Sequence, residues 1–148
     1  MTLQERLTAD LKQALKTGDT TRRSVIRMII AGIKNAEIAK SAPLDDAGVM
    51  DVLAKQAKQH RESIAEFSKG NRQDLVAKEE AELAIILEYL PKQMSREEIA
   101  AAARQVIEQV GARGPGDKGK VMSQLMSQLK GKADGREVSD VVSELLAG

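Results

Sequence analysis

The chain has 148 residues, of which 42% are apolar and 30% charged, a composition that is typical of a globular protein rather than a disordered one. The absence of cysteine excludes disulfide bonds, thiolate metal sites and a cysteine nucleophile. With a net charge of +1, the chain has no strong overall electrostatic field that would attract polyanions. It has only two aromatic residues, Phe67 and Tyr89, which are too few for a platform on which bases could stack. Any nucleic-acid site is therefore expected to be local and to contact the backbone.

The lack of a membrane span and of a signal peptide predicts the cellular compartment. No apolar run approaches the about 20 residues of a membrane span, and residues 1–6 resemble a helix start rather than the apolar core of a signal peptide. A reducing compartment is the default for a chain without cysteine. We therefore expect a cytoplasmic monomer that does not bind membranes.

The apolar residues recur with a period close to 3.6, which predicts an all-α fold, and the first 90 residues predict four helices. Thr2 and Glu5 have the capping-box spacing that opens the first helix, Asp19 caps the second, and Asp45 or Asp46 caps the third. The fourth must end before the proline at position 91, since proline disfavours helical geometry in the residue before it. The predicted helix ends are Gly18, Ser41, Gly70 and Leu90.

The remaining chain predicts a smaller domain of three helices. We place the boundary in the connector Pro91–Met94, which gives an N-terminal multihelical domain over residues 1–93 and a C-terminal three-helix domain over residues 94–148. Ser95 and Glu98 form a second capping box, and Asp117 is the predicted cap of the next helix. These helices are predicted to end near Gly111, Lys130 and the C-terminus.

Residues 114–120 match the spacing G-x-x-x-x-G-K of a phosphate-binding loop, but the match is incomplete. Val121 stands where a serine or threonine would hold magnesium, and a predicted helix precedes the loop where the motif needs a strand. Asp117 would also repel a triphosphate at this helix N-terminus. The segment is therefore interpreted as a Gly/Pro loop between helices.

His60, the only histidine, lies at the edge of an apolar helix face, which favours a packing or hydrogen-bonding role over a catalytic or metal-binding one. An acidic stretch follows it at Glu79, Glu80, Glu82 and Glu88. They are interpreted as a solvated or ion-paired face, and some of the cations Arg27, Lys34, Arg61 and Arg72 on the companion helices are expected to pair with them. We accordingly predict no catalytic residue, no metal site and no cofactor.

Five basic residues bracket one predicted helix and the glycine-rich turn after it. This basic set comprises Lys118, Lys120, Lys130, Lys132 and Arg136. Positive side chains beside a tight turn suit phosphate contacts, which need charge and reach but no base-specific geometry. From Ser95 onward, however, eight basic residues are balanced by eight acidic ones, so composition alone favours ordinary solvation of helix ends.

The order of short motifs along the chain resembles that of stand-alone members of the YqeY family, which carry the GatB/YqeY domain. The motifs are Arg27–Ile30, Lys58–Ser63, Gly70–Leu75, Lys78–Glu79, Tyr89–Met94, Gly119–Met122 and Leu129–Val138. The resemblance implies an N-terminal multihelical and a C-terminal three-helix domain. It departs at His60, where the family commonly has arginine or glutamine, and this weakens the idea of an essential histidine.

The resemblance also implies a connection with tRNA. Related segments form the tail of the GatB subunit of tRNA-dependent amidotransferases and appendages of some glutaminyl-tRNA synthetases, where they help to hold tRNA. On this kinship, family members are often labelled amidotransferase-like. The kinship shifts the interpretation of the basic set towards RNA contact.

Three functions remain open after this comparison of motifs. The first is an auxiliary module that grips folded tRNA through backbone contacts, beside an aminoacyl-tRNA synthetase or an amidotransferase. The second is a module that docks on a protein partner, and the third is an accessory subunit in glutamine-dependent amide transfer. None of them makes the chain an enzyme on its own.

Overall fold

The computed structural model describes residues 1–147, which form seven α-helices and one short 3₁₀ turn at Pro115–Asp117. The helices are α1 (Leu3–Thr17), α2 (Thr20–Lys40), α3 (Asp46–Lys69), α4 (Gln73–Leu87), α5 (Arg96–Val110), α6 (Lys118–Leu129) and α7 (Gly135–Ala147). No strand occurs within residues 1–147, so the predicted all-α fold is confirmed. None of these helices is long and apolar enough to cross a membrane.

The chain divides into two compact units, each with its own apolar core. The N-terminal unit covers Met1–Pro91 and the C-terminal unit starts at Lys92, whereas the predicted boundary followed residue 93. Fully buried side chains of the N-terminal core include Leu7, Ile26, Ile29, Leu53 and Ile86. Those of the C-terminal core include Ile99, Val106, Val121, Leu125 and Val138. Burial of these faces is the main source of stability for each unit.

Helix starts follow the predicted capping residues. The side chains of Thr2, Asp19 and Asp45 each accept a hydrogen bond from the backbone N–H three residues later, at 2.9–3.1 Å. Ser95 and Glu98 form the complete capping box: the Ser95 hydroxyl accepts from the Glu98 N–H, and the Glu98 carboxylate accepts from the Ser95 N–H. These bonds satisfy backbone donors that a helix start leaves unpaired.

The end of α3 is where it was predicted, because the helix stops at Lys69 and Gly70 is its C-cap residue. Gly70 has φ −85°, and the left-handed residue of this turn is Asn71, with φ 56°. Asparagine tolerates this conformation better than other residues with a side chain.

A polar network holds the turn after α4, which ends at Leu87 rather than at the predicted Leu90. The Tyr89 hydroxyl donates to the Asp10 carboxylate at 2.5 Å, and the guanidinium of Arg6 lies 4.6 Å from the Tyr89 ring centroid. Burial raises the pKa of the Tyr89 hydroxyl well above its ordinary value, and the Asp10 carboxylate adds to this rise. The network attaches the turn to α1.

The next residue of this turn, Glu88, attaches it to α2. Both Glu88 carboxylate oxygens accept hydrogen bonds from the Arg22 guanidinium, at 2.9 and 3.2 Å. The Glu88 carbonyl accepts a further bond from Arg6. A paired guanidinium–carboxylate contact of this kind fixes geometry as well as charge, so the last turn of the N-terminal unit is held from two sides.

Candidate functional site

The basic set occupies the two ends of α6. Lys118 and Lys120 lie in its first turn, whereas Lys130, Lys132 and Arg136 follow its last residue and continue into α7. At 1.5 Å per residue, the twelve residues of α6, Lys118–Leu129, span about 18 Å. The five side chains therefore form two separate groups rather than a single patch.

Most of the basic set faces solvent and lacks an internal counter-charge. Lys118 is half-buried, and the other four residues are exposed. Within residues 1–147, Lys118, Lys120, Lys132 and Arg136 form no salt bridge. These four cations are available to an external anion.

Hydrogen bonds from the connector hold the turn between α6 and α7. The Met94 N–H donates to the Lys132 carbonyl at 2.8 Å, and the Gln93 side-chain amide donates to the Gly131 carbonyl at 2.9 Å. Gly131 has φ 79°, a conformation that glycine adopts without strain. Met94 also packs against the C-terminal core. Gln93 and Met94 thus belong to the C-terminal unit and fix the backbone of the turn that carries Lys130 and Lys132.

The loop before α6 is closed by Asp117. Asp117 is the N-cap residue of α6, as predicted, but its carboxylate makes no capping bond and instead accepts a hydrogen bond from the Arg113 N–H at 3.0 Å. The 3₁₀ turn directly before α6 bonds the N–H of Lys118 to the Pro115 carbonyl, so this N–H at the helix start is already paired.

The glycines of this loop leave its backbone open. A Cβ atom built at Gly114 or Gly116 in the loop, or at Gly119 in the first turn of α6, would meet no atom within 4 Å apart from the adjoining residues and the helix backbone. The element that precedes the loop is helix α5, ending at Val110, and not the strand that a phosphate-binding loop requires. The open backbone next to Lys118 and Lys120 allows a partner to approach closely.

His60 is buried and hydrogen-bonded, as predicted. Its Nδ1 lies 2.9 Å from the carbonyl oxygen of Gln56 in α3. Its Nε2 lies 3.1 Å from the Glu82 carboxylate and 3.6 Å from that of Glu79, both in α4. Sequence reasoning considered the histidine and the glutamates separately. The signal available was the Glu-x-x-Glu spacing, which puts both carboxylates on one face of a helix.

The predicted partners of the acidic stretch are wrong. Within residues 1–147, Arg27, Lys34 and Arg61 form no salt bridge with these glutamates. Arg72 pairs with Asp74 at 3.1 Å, and this bond lowers the pKa of the Asp74 carboxyl. Helical periodicity gives the face on which a charge lies but not the helix that packs opposite, so the partners could not be derived.

The fold and the basic set define an all-helical, two-unit protein with exposed cations at the ends of one short helix. Comparison with protein families narrows this class, because residues 4–146 match the family described as Yqey-like protein. The chain belongs to that family, which confirms the resemblance seen in its motifs.

Three similar proteins bear the name Altered inheritance of mitochondria protein 41, mitochondrial. The one from Lachancea thermotolerans is 45% identical over 85 residues, which cover 57% of this chain and 46% of the relative. The one from Kluyveromyces lactis is 43% identical over 105 residues, which cover 68% of this chain and 56% of the relative. The one from Pyrenophora tritici-repentis is 33% identical over 147 residues, which cover 95% of this chain and 79% of the relative. The chain thus spans about half the length of the first two relatives.

These relatives contradict the predicted cytoplasmic location, because all three are named as mitochondrial proteins. The prediction rested on the lack of cysteine and of an apolar leader. Neither absence distinguishes the compartments, since mitochondrial targeting segments are amphipathic and arginine-rich rather than apolar.

Proposed function

We propose that the chain is an auxiliary tRNA-binding module that acts beside an aminoacyl-tRNA synthetase or an amidotransferase. The observation that carries the proposal is a group of four basic side chains at both ends of α6 that form no salt bridge within the part of the chain that the structure describes. The family's kinship with tRNA-holding tails supports the same assignment. In this role the chain contributes binding, and its partner supplies the chemistry.

The chemistry of the surface favours contacts with the RNA backbone. The C-terminal unit contains no aromatic residue, so bases have no ring on which to stack. Lysine side chains neutralise phosphates without reading bases. A protein of this kind recognises the spacing of phosphates in a folded RNA, and its binding is indifferent to base identity.

The separation of the two groups adds a geometric requirement. Groups about 18 Å apart cannot contact the same phosphate, so each end of α6 engages a different part of the RNA. A rigid, folded RNA holds two phosphates at a fixed distance, whereas a flexible single strand must be ordered first and loses conformational entropy. Folded tRNA is therefore expected to bind more tightly than a single strand of equal length.

Titration of fluorescent tRNA with the full chain tests the proposal. The logarithm of the affinity should fall with the logarithm of salt concentration with a slope of about −2 to −4, because a few phosphates release their counterions. Replacing Lys118, Lys120 and Lys132 together by glutamate should abolish binding and leave the helical circular dichroism spectrum unchanged.

A matched triple substitution controls for net charge. Lys12, Lys16 and Lys55 are exposed in the N-terminal unit, and their replacement by glutamate changes the net charge by the same amount. This control variant should retain tRNA binding at moderate salt. Equal loss in both variants would show that only net charge matters, and equal binding by the Lys118, Lys120 and Lys132 variant and the parent would reject the site.

A docking function on a protein partner is the second candidate, and one observation favours it. Ile38 at the end of α2 is 76% exposed and lines a shallow surface groove together with Ala42 and Pro43. Pull-down from lysate with and without ribonuclease separates the two functions. Partners that survive ribonuclease and are lost on Ile38→Ser would favour docking, whereas loss of all partners with ribonuclease favours the RNA module.

A further inference from the structure

A partly buried cluster between α3 and α4 combines the side chains of one histidine and two glutamates. His60 projects from α3, and Glu79 and Glu82 lie one turn apart on α4. One ligand atom from each of the three residues lies within 4.8 Å of the others. We propose that this His60 cluster binds a divalent transition-metal ion, for which Zn²⁺ is the best fit.

The hydrogen bond between His60 Nδ1 and the Gln56 carbonyl determines the tautomer of the His60 ring and therefore which ions the cluster can bind. A carbonyl oxygen only accepts, so the 2.9 Å contact with Gln56 places the ring proton on Nδ1 of His60. Nε2 of the neutral ring then directs a lone pair at the two carboxylates, which are also acceptors. Three acceptors that face one another require a cation between them, either a proton on Nε2 or a metal ion.

Burial and charge favour the metal ion over the proton. The side chains of His60, Glu79 and Glu82 are 9%, 20% and 18% exposed. A protonated histidine balances only one of the two carboxylate charges and leaves the other in a largely desolvated position, which is unfavourable. A divalent cation bound to a neutral histidine balances both charges.

The distances from the His60 Nε2 atom to the two carboxylates agree with coordination to a single ion. Ligand atoms about 2.0–2.1 Å from a tetrahedral Zn²⁺ ion lie about 3.3 Å from each other. The observed separations of Nε2 from the two carboxylates, 3.1 and 3.6 Å, lie on either side of this value. Imidazole nitrogen selects Zn²⁺ over Mg²⁺ and Ca²⁺, which prefer oxygen ligands.

A hydrogen bond to the Gln56 carbonyl already orients the His60 ring for metal binding. Histidines that bind metals usually donate their other ring N–H to a carbonyl or a carboxylate, which fixes the tautomer and the ring orientation. The Gln56 carbonyl accepts such a bond from His60. Three protein ligands leave a fourth position for water, and the bound ion would join α3 to α4 across the helical hairpin.

Zinc titration of the full chain, stripped of metal with a chelator, tests the site. Isothermal titration calorimetry should give one Zn²⁺ per chain. Zinc at a hundredfold excess over Kd should raise the unfolding temperature by about 5–10 °C, because the ion binds only the folded hairpin. His60→Gln, Glu79→Gln and Glu82→Gln should each weaken binding by at least about tenfold.

Two control variants test whether zinc binding depends on the three proposed ligands. Glu80→Gln removes the same charge from an exposed position of α4 and should leave zinc binding unchanged. His60→Arg supplies a permanent positive charge but no ligand, so this variant should fold without responding to zinc. A parent chain that takes up no zinc would overturn the proposal and assign the cluster to a histidinium–carboxylate ion pair. Equal weakening by Glu80→Gln and Glu79→Gln would overturn it in favour of nonspecific surface binding.

Discussion

The two units differ in how they use their polar side chains. In the N-terminal unit Arg22 pairs with Glu88, Tyr89 donates to Asp10, and His60 contacts two carboxylates, so polar groups hold helices together. Among the described residues of the C-terminal unit, up to Ala147, all the buried side chains are apolar. Its basic set remains at the surface. Ion pairs between helices also occur in the C-terminal unit, where Arg96 of α5 pairs with Glu144 of α7 at 2.7 Å. The difference lies in the interior, since a polar side chain, His60, is buried in the first unit, whereas the basic set of the second stays at its surface.

The largest expected effect concerns the start of the C-terminal unit. A fragment over residues 92–148 retains the hydrogen bonds of Gln93 and Met94 to the α6–α7 turn, and a fragment over residues 95–148 loses them together with the packing of Met94. We expect the shorter fragment to be less stable by about 2–3 kcal/mol. Urea unfolding followed by circular dichroism measures the difference. Equal stability would show that the connector contributes nothing to this unit.

The next effect tests the polar network of the N-terminal unit. Tyr89→Phe removes the hydroxyl that donates to Asp10 but keeps the ring that lies against Arg6. The half-buried Asp10 carboxylate loses a partner, so the free energy of unfolding should fall by about 1–2 kcal/mol. Urea unfolding of the full chain measures it. An unchanged value would mean that the network is incidental to packing.

The raised pKa of Tyr89 adds a pH dependence to the same variant. The unfolded chain releases the tyrosine proton near pH 10, whereas the folded chain retains it to higher pH. Above pH 10 the unfolded state therefore binds fewer protons, and stability must fall as pH rises. This decrease should be smaller in Tyr89→Phe than in the parent. Identical alkaline profiles would contradict the assignment.

Two glycine substitutions in the C-terminal unit should change its free energy of unfolding by smaller amounts and in opposite directions. Gly119 lies in α6 with open space around it, so Gly119→Ala should stabilise the unit by roughly 0.5–1 kcal/mol. Gly111 ends α5 with φ 68°, so Gly111→Ala should destabilise it by about 1 kcal/mol. Thermal unfolding of both variants measures the contrast. If Gly119→Ala also weakens tRNA binding, its backbone is approached by the RNA.

The smallest effect concerns the capping box that opens α5. Hydrogen bonds from Ser95 lower the pKa of the exposed Glu98 carboxyl, so this group stabilises the folded state above its unfolded pKa. That contribution disappears as pH falls through the lower, folded pKa. Glu98→Gln should therefore reduce stability slightly at neutral pH and have no effect in strong acid. A constant difference at all pH values would show that the charge is not involved.

The sequence predicted local structure well because local structure follows from local chemistry. Helix starts at Thr2, Asp19 and Ser95 lie where short polar side chains can bond the backbone of the first turn. The helix ends near Gly18 and Gly111 follow from the left-handed conformation that glycine adopts readily.

The contacts between helices could not be predicted in the same way. The pairing of Arg22 with Glu88 joins residues 66 positions apart, and no helical period contains that information. The cluster at His60 was missed for the same reason, because it depends on which faces of α3 and α4 pack together. The two ends of α6 were found, but the turn that fixes one of them is held by Gln93 and Met94, which looked like a simple connector.

The position of Tyr89 gives the chain an optical property. It is the only tyrosine, there is no tryptophan, and it is buried in the N-terminal unit beside the Asp10 carboxylate. Intrinsic emission excited through tyrosine therefore comes from one unit only, and the C-terminal unit contributes none. Emission reports the melting of the first unit while circular dichroism reports both, so the two signals together reveal whether the units unfold in one step or in two.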